Sequence, residues 1–115
     1  MELREESRDG ILIVQVCSRR IDASKAPQLK EELTKRVQPG QTKLVLDFSM
    51  VNFIDSIGLG ALVSCLKWLG NREQLIIVGA TAAVQRLFAQ TRMDRVFALY
   101  PFLEAVLADK PRNFT

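Results

Sequence analysis

The chain has 115 residues, 48% of them apolar, enough for one domain with its own core and too few for several. Charged residues at 25% and aromatics at 7% exclude a solvated disordered chain and lend no weight to a base-stacking nucleic-acid surface. Sixteen Lys plus Arg against thirteen Asp plus Glu leave a charge of +3, and the absence of histidine removes every Ser-His-Asp triad, Cys-His pair and His-bearing metal site.

Leu3 to Ser7 reads as a short polar strand, Asp9-Gly10 as a hairpin turn, and Ile11 to Cys17 as a β-branched strand pairing back antiparallel. Ser24 is the expected N-cap of an amphipathic helix from Lys25 to Gln38. Pro27 sits in its first turn, Leu29, Leu33 and Val37 line its buried side, and Pro39-Gly40 ends it. Lys30, Glu31, Glu32, Lys35 and Arg36 make its solvated face. Leu44 to Phe48 is a strand buried on both sides, Ser49 to Asp55 a connection, and Ile57 to Leu69 a helix stopped by Gly70-Asn71. Leu75 to Val78 is a second buried strand, and Thr81 caps a helix carrying Val84, Leu87 and Phe88. Val96 to Leu99 completes the strands and Pro101 to Leu107 the helices. Strands and helices at this spacing predict a single α/β domain over residues 1–108, with a mixed β-sheet of about five strands, about four helices and a flexible tail at 109–115.

Cys17 and Cys65 lack a Cys-x-x-Cys spacing and read as small buried hydrophobes in a reducing compartment. No apolar run reaches about 18 residues and the N-terminus is charged, so a cytoplasmic location without membrane insertion is expected. Asp22, Asp47 and Asp55 read as solvated or capping carboxylates and not as a metal cluster. Gly58 and Gly60 match no phosphate-binding loop; small residues early in a helix let another backbone approach.

The most informative segment runs from Asp47 to Gly60, where a strand ends and Ser56 stands at the start of a helix. Unpaired backbone N–H groups and the helix dipole there favour an anion, so Ser56 is either an ordinary N-cap or a phosphate acceptor. At 100° per residue, Leu59, Leu62, Val63, Leu66 and Leu69 form the core face of this helix. Ile57, Ala61, Ser64 and Trp68 share the opposite arc. That stripe either receives a partner, with Trp68 as anchor and Ser56 at its rim, or has Trp68 folded back onto the third helix or shielding a loop.

Asp47-Phe48-Ser49, Phe53-Ile54-Asp55-Ser56 and Gly58-Leu59-Gly60 resemble the signature of STAS domains of the anti-sigma-factor antagonist type. Ile21-Asp22 and Val84 with Arg86-Leu87-Phe88 extend the resemblance over nearly the whole chain. It implies a STAS-like fold and a bacterial partner-switching protein that controls transcription through signal transduction. In that family the serine after the motif's aspartate, here Ser56, is phosphorylated by a cognate serine kinase of the GHKL type, which is the anti-sigma factor itself. The unphosphorylated antagonist sequesters the kinase and frees the sigma factor, and a serine phosphatase resets the system. By resemblance, Asp22 and Asp55 shape the surroundings of the serine, and the surface around Ser56, Ile57, Gly58, Ala61, Ser64 and Trp68 meets the kinase. The chain is then a phosphoprotein and not an enzyme; it carries no cofactor, and ATP and Mg²⁺ belong to its partner.

Two residues depart from the family pattern. Ile57 stands where Ser or Thr usually follows the acceptor, which implies altered kinase specificity. Arg19 stands where a glycine is common and would crowd or bias the site. Because STAS domains also occur in anion transporters and phospholipid-transport complexes, a cytoplasmic subunit of a membrane transport complex is the alternative reading, and a nucleotide or small-molecule sensor is a third. Direct nucleic-acid contact is not expected, and the Ile57 to Trp68 stripe allows a weak homodimer.

Overall fold

The computed structural model describes residues 1–38 and 43–109. In chain order the elements are β1 (Leu3–Arg8), β2 (Ile11–Val16), β3 (Arg20–Ile21), α1 (Ala26–Arg36), β4 (Lys43–Asp47), β5 (Phe53–Ile54), α2 (Ser56–Leu69), β6 (Leu75–Val78), α3 (Ala82–Gln90), β7 (Ala98–Tyr100) and α4 (Leu103–Asp109). Asp9 (φ 53°) and Gly10 (φ 77°) both adopt left-handed backbone, the twist a two-residue hairpin needs, and β1 folds antiparallel onto β2. β4, β6 and β7 join in parallel to give the order β1-β2-β4-β6-β7. Each parallel step requires a crossover, supplied in turn by α1, α2 and α3. The single α/β domain with a five-stranded mixed sheet and four helices matches the fold expected from the sequence.

Alternation along the strands divides the core in two. Val14, Leu44, Leu46 and Ile77 face one way and pack with Leu29 and Leu33 of α1, Leu62 of α2 and Phe88 of α3, all fully buried. Phe88 meets Phe97 in a tilted ring pair with centroids 5.7 Å apart. Ile11, Ile13, Val45, Ile76 and Val78 face the other way, where Val106 of α4 packs on them.

Several local expectations are corrected. Ser24 does not cap α1: its hydroxyl donates to Asp22 Oδ1 (2.7 Å), and the Asp22 carbonyl instead accepts from the Lys25 and Ala26 N–H groups. Lys25 holds the N-cap position with no side-chain cap, because the Asp22 carboxylate has engaged the Ser24 hydroxyl and N–H in a turn of its own. The helix ends at Arg36, short of Gln38, while Pro39-Gly40 lie outside the described residues. Cys17 is only half-buried; Cys65 is buried as expected, and loss of water pushes its thiol up to about 11. A 3-10 turn at Met93–Arg95 draws the Val96 and Phe97 N–H groups onto the Met93 carbonyl, so β7 begins at Ala98. Pro101 and Phe102 form a bend, α4 starts at Leu103, and Ala108 belongs to it. The tail expected at 109–115 lies, after Asp109, outside the described residues.

Candidate functional site

Two very short strands build the site. β3 and β5 pair in parallel, Arg20 beside Phe53 and Ile21 beside Ile54, as a sheet separate from the main one. The Arg19 carbonyl accepts from Asn52 N–H (2.7 Å) and Phe53 N–H (3.1 Å), and the Ile21 carbonyl accepts from Asp55 N–H (3.2 Å). On the surface, the Arg20 guanidinium lies 4.1 Å from the Phe53 ring centroid and 3.6 Å from Asp22 Oδ2. The buried Gly58 seats α2 against this pair: a Cβ there would run into the Ile21 carbonyl and the Ile54 side chain. The close approach expected of small residues is therefore made by Gly58, whereas Gly60 faces open space.

Asp55 joins the pieces. Its Oδ1 accepts from Gly58 N–H (2.8 Å), capping α2, and its Oδ2 accepts from Ala23 N–H (3.2 Å) in the turn before α1. One carboxylate thus fixes both the helix entry and the neighbouring turn. Asp22 Oδ1 binds the Ser24 hydroxyl and N–H, and with Arg20 nearby these donors hold its carboxyl below the ordinary value. Asp47, at the end of β4, accepts from Ser49 N–H (2.9 Å). All three aspartates bind backbone N–H groups, and among the described residues no group of three or more His, Cys, Asp or Glu could hold a metal.

Ser56 is the first residue of α2, not its cap, because Asp55 fills that position. It is exposed, and no hydrogen bond to any described residue holds its hydroxyl. Its backbone N–H and that of Ile57 lie in the first turn of α2, where amides have no partner within the helix. Ile57 beside it is 55% exposed and Trp68, at the far end of the helix, 48%. The stripe between them is broken. Ser64 is half-buried, and Gly58 and Ala61 are buried, a correction to their expected place on a partner surface. Trp68 is not folded back out of solvent. Sequence reasoning missed Arg20 and gave Phe53 no role beyond its place in the motif, since two-residue strands carry no periodicity.

Residues 2–106 match the family model described as STAS domain. The chain is 31% identical over 100 residues to an anti-sigma-B factor antagonist of Listeria monocytogenes, with 86% of each chain covered. It is 36% identical over 72 residues to the protein of the same name in Staphylococcus aureus, covering 62% of this chain and 67% of that one. The crystal structure of an anti-sigma factor antagonist from Mycobacterium paratuberculosis superposes with a TM-score of 0.80 at 32% identity, covering 93% of this chain and 91% of the other. With a matched family model, relatives and fold in agreement, the chain belongs to the STAS domain family, among relatives named as anti-sigma factor antagonists.

Proposed function

We propose that this chain is an anti-sigma factor antagonist that binds a GHKL-type anti-sigma serine kinase when Ser56 is unphosphorylated and is released when Ser56 carries phosphate. The supporting observation is the free Ser56 hydroxyl at the start of α2, exposed beside Ile57 and positioned by the Asp55 cap. The chain is a phosphoryl acceptor: ATP, Mg²⁺ and the base that removes the serine proton belong to the kinase, and a serine phosphatase returns the hydroxyl.

The switch needs no refolding. A phosphate adds about −1.5 to −2 charges to a surface that already holds Asp22 and Asp55, and opposes docking on a partner that carries nucleotide phosphate. A loss of about 3–4 kcal/mol weakens binding several hundred-fold. Incubation with the kinase encoded in the same host and ATP should add one phosphate to Ser56 by mass spectrometry. Ser56→Asp should weaken kinase binding by about a hundredfold or more, and Ser56→Ala should keep binding without release. An unmodified Ser56 under these conditions, or recovery of an ABC-type ATPase in place of a kinase, overturns this reading.

A further inference from the structure

Between β5 and α3 runs an open groove of about 250 Å³ whose floor is Ile54, Val84 and Leu87 and whose rim is Phe53, Arg86 and Gln90. Its lining residue Ile54 stands two residues before Ser56, and no residue of α2 lines it among the described residues. Phe53 is 39% exposed and carries Arg20 on its ring. Arg86 is exposed and pairs with no carboxylate among the described residues. No acidic residue among the described residues lines the groove. The part-exposed Phe53 and half-buried Leu87, over the buried Ile54 and Val84 and beside an arginine unpaired among the described residues, are complementary to a peptide bearing carboxylates and an apolar anchor.

We propose that this groove docks an acidic, apolar-anchored peptide segment of the protein partner, with Arg86 meeting its carboxylates and Phe53 and Leu87 its apolar side chain. The identity of that partner as the Ser56 kinase rests on the function proposed above; the groove's preference for an acidic peptide does not. Docking there sets which partner is accepted, while the chemistry takes place at Ser56. Arg86 is therefore a positioning residue, and its removal should alter recognition without altering the phosphoryl-transfer step.

The first measurement is an NMR titration of the intact chain with the synthetic peptide Glu-Glu-Leu-Phe-Glu-Glu and with its all-Gln counterpart. Saturable shifts confined to Phe53, Arg86, Leu87 and Gln90 are expected with the Glu peptide alone, and Arg86→Ala should weaken them by about tenfold. Absent shifts, equal shifts with the Gln peptide, or shifts reproduced by phosphatidylglycerol vesicles overturn the groove. The second measurement is phosphorylation of Arg86→Glu by the kinase. A rise in KM of about tenfold with unchanged kcat, diminishing at high salt, is expected. Unchanged KM overturns the docking role and leaves the kinase reading intact. A groove that takes the peptide in a chain whose Ser56 no kinase modifies removes the kinase and leaves the docking site.

Discussion

The two sheets of this domain are held by different forces. The centre of the five-stranded sheet, β4 and β6, is fixed by burial on both faces, with every residue of β6 buried and α1 to α3 on one side. The β3-β5 sheet has two residues per strand, and in each the first residue is exposed and the second buried. Beyond the burial of Ile21 and Ile54 it depends on backbone hydrogen bonds, the Gly58 contact and the Asp55 carboxylate. Non-directional burial makes a scaffold; a few directional contacts aim one side chain. A site that must present a hydroxyl to another protein is built from the second kind of bond, because its residues cannot be buried and still be reached.

Four perturbations separate these regimes. Phe88→Ala removes a fully buried ring and its Phe97 contact, and should cost about 3–5 kcal/mol in denaturant unfolding while the start of α2 at Ser56 keeps its structure until the whole domain melts. Gly58→Ala pushes a methyl against the Ile21 carbonyl and should cost about 1–3 kcal/mol. Its signature should be faster hydrogen exchange at Asn52, Phe53 and Asp55, with β4 and β6 amides less affected. Were both sets to change alike, the two sheets would be one cooperative unit.

Asp55→Ala deletes the α2 cap and the link to Ala23, for an expected loss of about 1–2 kcal/mol, read as a lower Tm. Ser56 phosphorylation should fall more than stability does, since the helix entry that presents the hydroxyl loosens first. The smallest effect concerns Asp22, whose folded carboxyl lies below its ordinary value of 3.8 chiefly through the Ser24 hydroxyl. Its contribution is complete above the unfolded value and disappears as pH falls through the lower folded one. Asp22→Asn should therefore narrow the stability difference between pH 5 and pH 2 slightly, and an unchanged acid limb would show that the Asp22 turn adds nothing.

Charge on α1 supports the same distinction. Arg36 is bound by Glu32 (2.7 Å) and by Glu5 of β1 (2.8 Å), tying the helix end to the sheet edge at a partly exposed position. These pairs satisfy one another, as the solvated face expected from the sequence requires. Arg86 in α3 has no such carboxylate among the described residues, and that difference marks the groove beside it.

The apolar runs of β2, β4 and β6, the Asp9-Gly10 hairpin and the Thr81 cap were legible in the sequence, because burial and turn geometry act on neighbouring residues with fixed periods. The serine at the start of α2 was legible too. Its capping was not: Asp55 and Ser56 are both good N-cap residues, and the choice depended on Ala23 lying where a second carboxylate oxygen could reach it. The β3-β5 pair, the burial of Ala61 and the groove beside Phe53 came only with the tertiary structure. They depend on contacts between segments about thirty residues apart, and no local pattern records which distant backbone will arrive.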